Sequence, residues 1–255
     1  MAIPRACVAA AVTAVTAMAH AGPGVTAIGP LRRRCFPALA GRGAADHVAL
    51  TFDDGPDPRS TPRFLDALDS RGTHATFFLL GSMVARARSL AAELSAAGHE
   101  VGVHGWDHRS AILRGPRAAY DDIARAHDAV AEATGTTPAF YRPPYGVLSS
   151  AAIWACGRLG LAPLLWTCWG REWIAGATSE RVFTTIRRDL AGGATVLLHD
   201  SDCTSPPGSS RAALGAAGML LDECAERGWQ VGTAAAHGLG GWNISLGQLR
   251  SRGWV

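Results

Sequence analysis

His47-Val48-Ala49-Leu50-Thr51-Phe52-Asp53-Asp54-Gly55-Pro56 is the stretch on which the reading of the fold turns. A continuous apolar run of strand length ends in two adjacent carboxylates and then a Gly-Pro turn. Continuous rather than alternating apolar character fits a strand in a sheet covered on both faces. Outward from this run the pattern repeats. Strand-length segments at Thr76 to Leu80, Val101 to Val103, Ala139 to Tyr141, Leu164 to Thr167, Thr195 to Leu198 and Gln230 to Thr233 alternate with helix-like segments. The helices are expected to begin near Thr61, Ser82, Pro116, Ser149, Ser179 and Ser210, and several to stop at Gly72, Gly98, Gly135 and Gly228, where an αL residue ends a helix well. Such β-then-α units predict an α/β fold with a mainly parallel sheet, either a barrel or an open doubly wound sheet.

A chain of 255 residues suits one large α/β domain with tails or two small ones, and one sizeable core is the simpler reading. With 48% hydrophobic and 18% charged residues it reads as compact and not disordered. A net charge of +3 makes no case for nucleic acid. All 24 cationic residues are arginine. The absence of lysine excludes a lysine Schiff base and a phosphate-loop lysine, and no G-x-S-x-G elbow supports a serine hydrolase.

Residues 1–24 resemble a weak secretory signal peptide: Arg5, then an apolar stretch from Ala6 to Met18, then small residues with a candidate cut near Ala19 or Ala21. The stretch is too short for a transmembrane anchor. Cleavage would make the protein secreted or associated with the cell wall; without it the protein would be cytoplasmic. Cys35, Cys156, Cys168, Cys203 and Cys224 form no C-x-x-C pair, so a cysteine zinc site is not expected.

Reactive residue types fall at strand ends. Asp53 and Asp54, His104, Arg142, Glu172 and Trp173, and His199 all lie at or just after the C-terminal ends of expected strands. In a barrel of parallel strands these ends share one face. His104 and His108, four apart, together with Asp54 make a set of two imidazoles and a carboxylate suited to zinc, and also to cobalt, nickel or iron.

Four segments occur in order across 150 residues: Thr51-Phe52-Asp53-Asp54-Gly55-Pro56, His104-Gly105-Trp106-Asp107-His108, Arg142-Pro143-Pro144-Tyr145-Gly146 and Leu197-Leu198-His199-Asp200. In order and spacing they resemble the polysaccharide deacetylases, the NodB-homology domain of carbohydrate esterase family four, over residues 46–237. The resemblance implies a distorted (β/α) barrel of seven or eight strands. It also implies an enzyme that removes N-acetyl groups from N-acetylglucosamine polymers or oligomers, such as peptidoglycan, chitin-like chains or smaller glycosides, with a divalent metal, Zn2+ first and Co2+ or Ni2+ as alternatives. By position, Asp53 becomes the base, Asp54, His104 and His108 the metal ligands, Arg142 the partner of the base, the Tyr145 N–H an oxyanion donor and His199 the acid. An O-acetyl xylan esterase and a non-catalytic carbohydrate-binding domain are the alternatives on the same fold, and a monomer is favoured.

The chemistry agrees with those assignments. An amide is a poor electrophile, and a metal polarises its carbonyl and acidifies a water. A guanidinium favours an ionised carboxylate beside it, and an imidazolium is a natural donor to a departing amine. Two departures from the family pattern stand out. Gly105 occupies a position where the family usually has Ser or Thr, which removes a hydroxyl that could support the loop. The fourth family motif reads Trp169-Gly170-Arg171-Glu172-Trp173, where Glu172 is expected to orient or tune Arg142 or His199 and Trp173 to wall the acetyl pocket. Arg32-Arg33-Arg34 reads as a solvated segment, Asp57 as part of a turn, and Asp200 and Asp202 as support for His199 or as solvated loop. Residues 25–45 form an N-terminal extension, and 238–255 a tail whose Trp242 and Trp254 either pack on the barrel or meet sugar rings.

Overall fold

The structure is a computed structural model that describes residues 5–239, with side chains from residue 12 onward. Trp242, Asn243-Ile244-Ser245 and Trp254 of the expected tail lie outside the described residues. Among the described residues there are eight strands: β1 (His47–Asp53), β2 (Thr76–Leu79), β3 (Glu100–Val103), β4 (Phe140–Tyr141), β5 (Ala162–Pro163), β6 (Cys168–Trp169), β7 (Thr195–His199) and β8 (Gln230–Gly232). The helices are α1 (Arg5–Ala21), α2 (Gly29–Cys35), α3 (Thr61–Asp69), α4 (Gly81–Arg86), α5 (Arg88–Ala96), α6 (Pro116–Thr134), α7 (Ser150–Leu159), α8 (Ser179–Arg187) and α9 (Ser209–Glu226).

Every strand pairing is parallel, in the order β5-β4-β3-β2-β1-β7-β6. β1 is the hub. It pairs with β7 from Ala49 to Asp53, with β8 through its first three residues and with β2 through its last three. Alternate side chains separate two environments. Val48, Leu50 and Phe52 share one core with Phe64, Leu65 and Leu68 of α3 and Leu220 and Leu221 of α9. Thr51 and Asp53 point the other way, into the barrel, where both meet Arg142. The curled parallel sheet wrapped by helices is the expected distorted barrel.

Helix boundaries follow local chemistry. Ser149 Oγ caps α7 by accepting from Ala152 N–H at 3.2 Å, and Thr178 Oγ1 caps α8 by accepting from Arg181 N–H at 3.4 Å. Gly72, Gly98, Gly135 and Gly228 all have left-handed backbone, as their places at helix ends require. The single helix expected from Ser82 is instead two, because Ala87 leaves helical geometry (φ −137°, ψ 50°).

The expected strand Leu164 to Thr167 is not formed. Those residues bridge the two edges of the sheet, from β5 to β6, and their carbonyls accept from arginine rather than from a neighbouring strand. Arg142 Nε donates to Leu164 O (3.1 Å) and Nη2 to Leu165 O (2.9 Å), Arg32 Nη2 to Trp166 O (2.9 Å), and Arg33 Nη1 to Thr167 O (3.2 Å). Guanidinium donors thus do the work of a missing ladder along this seam. The Arg32 to Arg34 segment is therefore not simply solvated: Arg32 is 2% exposed, inside the seam, and its guanidinium also lies 4.9 Å from the Trp166 ring. Residues ahead of β1 complete the closure, with Leu165 N–H donating to Leu39 O (2.8 Å) and Thr195 Oγ1 to Gly41 O (2.6 Å).

Candidate active site and metal centre

The C-terminal ends of β1, β3, β4 and β7 bring the chemistry-bearing residues to one face. Asp53 ends β1 and stays in the ladder beside His199. Asp54 then turns to φ 78°, and both carboxylates approach His104 Nε2, Asp54 Oδ1 at 3.4 Å and Asp53 Oδ2 at 3.8 Å. Among the described residues, the non-glycine positions with left-handed backbone are Asp54, His108 (φ 60°), Tyr145 (φ 60°) and Arg171 (φ 57°), in the loops that follow β1, β3, β4 and β6. Each such conformation costs about 1–3 kcal/mol, and strain of this kind collects at functional sites.

Asp54, His104 and His108 converge, with one ligand atom from each lying within 4.8 Å of the others. Asp54 Oδ1 is 3.4 Å from Nε2 of both histidines. That oxygen is buried and makes no hydrogen bond, an orphan that a bound cation would satisfy. His104 Nδ1–H donates to Arg142 O at 2.8 Å, which fixes the tautomer and leaves the Nε2 lone pair facing Asp54. Burial, then the neighbouring His104, lower the His108 pKa to about 4, so its ring is neutral near pH 7 as a ligand must be. Burial opposes charge on Asp54, but the surrounding histidines, the protonated His199 among them, outweigh it and hold the carboxyl below its usual range. The donor set and its protonation state fit a divalent metal.

Beside this trio stand two pairs. Arg142, completely buried, donates through Nη1 to Asp53 Oδ1 and to Thr51 Oγ1, both at 2.7 Å, and stacks 4.0 Å from the Phe78 ring. Asp53 Oδ2 lies 3.8 Å from His104 Nε2, so the carboxylate sits between the guanidinium and the ligand cluster. On the far side His199 Nδ1 donates to Glu172 Oε1 at 2.8 Å. Burial lowers the His199 pKa, but the charge of Glu172 and its hydrogen bond outweigh it and raise the pKa to about 10. The sequence left open whether Glu172 serves Arg142 or His199; its contact is with His199.

Trp173 stands edge-on to His199, ring centroids 5.5 Å apart, and Trp169 and Trp166 continue the aromatic row at 5.0 Å and 5.5 Å. Tyr145 is 65% exposed, and its ring lies edge-on to His108 at 4.6 Å. The loop carrying Gly105 needs that glycine: φ is +81°, and an added Cβ would come within 3.1 Å of Asp122 Oδ2. Support comes from Asp122, which accepts from Trp106 N–H at 3.2 Å and pairs with Arg114 at 3.0 Å.

Asp200 does not reach toward His199. Its Oδ2 accepts from Thr61 Oγ1, its carbonyl accepts from Ser60 Oγ at 2.5 Å, and Gly55 must lack a Cβ because one would sit 2.4 Å from Oδ2. Burial raises the Asp200 pKa to about 7. Asp202 instead caps α9, accepting from Gly208 N–H (2.7 Å) and Ser210 N–H (2.6 Å). Asp57 is more than a turn residue, since Ser201 Oγ donates to its Oδ2 at 3.2 Å and ties the two loops together. Sequence reasoning missed Thr51 as an Arg142 partner and Thr204, whose Oγ1 donates to Asp54 Oδ2. Thr51 stands two residues before Asp53 and so on the same face of β1, which carried a signal for it; no spacing rule pointed to Thr204.

A family model described as polysaccharide deacetylase matches residues 40–164. A chitooligosaccharide deacetylase from Bradyrhizobium sp. (strain ANU 289) is 35% identical over 165 residues, covering 64% of this chain and 74% of that protein. The peptidoglycan-N-acetylglucosamine deacetylase PgdA of Listeria monocytogenes (strain 10403S) is 36% identical over 159 residues, 60% of this chain; the chain spans 32% of that relative's length. Among solved structures, the Bc1960 peptidoglycan N-acetylglucosamine deacetylase superimposes with a TM-score of 0.71 at 26% identity, covering 78% of this chain and 92% of that one. The chain belongs to the polysaccharide deacetylase family. The family-model match stops at the seam, so the Trp169 to Trp173 segment and His199 lie beyond it.

Proposed function

We propose that this protein is a metal-dependent hydrolase that removes N-acetyl groups from N-acetylglucosamine-containing poly- or oligosaccharides. The observation that carries the reading is the pairing of Asp53 with Arg142 and of His199 with Glu172 around the Asp54, His104 and His108 trio. Those three residues would hold the ion, with Zn2+ the first candidate by donor type. When bound, it supplies Lewis acidity that polarises the acetamide carbonyl and acidifies a water.

The remaining work belongs to the chain. Asp53 takes the proton of the attacking water, and Arg142 holds that carboxylate in one rotamer and balances its charge. The Tyr145 N–H donates to the developing oxyanion, a contribution of about 2.7–4 kcal/mol for a well-placed donor. His199 protonates the departing amine from Nε2, with Glu172 accepting from Nδ1–H and so orienting the ring and stabilising the imidazolium that carries the second proton on Nε2. Trp173, against His199, walls the side on which the acetyl methyl sits. The relatives' names support an acetylated amino-sugar polymer as substrate, and with it action at the cell wall after export.

The deciding experiment measures acetate released from chitooligosaccharides, peptidoglycan, small N-acetylglucosamine glycosides and acetylxylan, with zinc, with cobalt or with a chelator. Metal-dependent release from the amino-sugar substrates is expected. Release from acetylxylan alone would make the protein an O-acetyl esterase, and binding without any release would make it a carbohydrate-binding domain.

A further inference from the structure

The two oxygens of Asp54 have different surroundings. Oδ1 faces the Nε2 atoms of His104 and His108 and lacks a hydrogen bond, whereas Oδ2 accepts the hydroxyl of Thr204. Thr204 belongs to the loop that follows His199, and four further contacts join this loop to the one starting at Asp54. Cys203 Sγ donates to Asp54 O (3.6 Å), Ser201 Oγ to Asp57 Oδ2 (3.2 Å), Ser60 Oγ to Asp200 O (2.5 Å) and Thr61 Oγ1 to Asp200 Oδ2.

From this division we infer that Thr204 is a positioning residue for the metal ligand, its hydroxyl occupying Asp54 Oδ2 so that the carboxylate offers a single oxygen, Oδ1, to the cation. The terminal torsion of an aspartate is broad and roughly two-fold, so an unheld carboxylate turns freely. A donor on Oδ2 removes that freedom, and it also competes with two-oxygen ligation. Partners that orient a ligand in this way typically account for about 10- to 100-fold in metal affinity.

The inference rests on the metal reading above, and its test separates the two. Zinc affinity is measured by competition with a chromophoric chelator for wild type, Thr204→Val and Thr204→Ser, alongside the thermal midpoint of each metal-free protein. Thr204→Val is expected to bind zinc about 10- to 100-fold more weakly with an unchanged metal-free midpoint, and Thr204→Ser to stay close to wild type. Thr204→Ala replaces the valine variant if that does not fold. In the cobalt-loaded proteins the visible absorption of the variant lacking the hydroxyl should shift as Asp54 becomes free to ligate through both oxygens. Unchanged zinc affinity without the hydroxyl overturns the inference while leaving the metal site intact. Weaker binding with an equally lowered metal-free midpoint overturns it in favour of loop support. A wild-type protein that binds no metal removes both readings.

Discussion

Asp53 and Asp54 are neighbours in sequence and opposites in environment, and this contrast yields the sharpest tests. Asp53→Asn keeps the shape of the side chain and removes its basicity, so turnover should fall by at least about 100-fold, the usual contribution of a general base, while a zinc titration stays as in wild type. Loss of zinc binding in this variant would mean that the two carboxylates exchange roles. His108→Ala removes one of three ligands, and the same titration should show weakened binding. Glu172→Gln addresses His199. An acid must be protonated to act, and the charge of Glu172 raises the His199 pKa, so it extends this limb of the kcat profile to higher pH. A cation beside Asp54 repels the imidazolium and moves the limb the other way. Without the Glu172 charge the pKa falls further, so the alkaline limb should move to lower pH with metal retained; an unmoved limb would leave Glu172 a structural role only.

The elements show where sequence is a sufficient guide and where it is not. Apolar runs bounded by glycine were enough to find β1, β2, β3 and β7 and the starts of six helical segments, because burial and capping are local demands. The same runs led to a false strand at Leu164 to Thr167. Those residues are as buried as a strand would make them, but the partners of their carbonyls come from Arg142, Arg32 and Arg33, side chains that no local pattern assigns to a neighbouring backbone. For the site, the strand-end residues Asp53, His104, Arg142 and His199 were legible, since a parallel barrel gathers strand ends. Thr204 was not, because it reaches Asp54 through a loop. Arg142→Met would leave Asp53 buried without its cation and strip the donors from Leu164 O and Leu165 O. A loss of about 3–5 kcal/mol of unfolding free energy is expected by urea denaturation, as for other broken buried pairs.

At the scale of the whole molecule, closure depends on the segment ahead of β1. Arg32 links Thr26 O to Trp166 O from within the seam, and all its partners lie beyond residue 21. Removing residues 1–21 should therefore leave unfolding by urea nearly unchanged, whereas Arg32→Ala should cost about 3 kcal/mol, given a charged donor with two buried acceptors. Equal behaviour of the two variants would argue that the seam is not held by this arginine. The seam also sets an order of events in time. Arg32 and Trp166 are 134 positions apart, so Arg32 cannot reach across the seam until two thirds of the chain has been made. Contacts of such long range form late and slowly. A polypeptide threaded across a membrane from its N-terminus would therefore cross with its barrel still unlatched, and the latch would close on the far side.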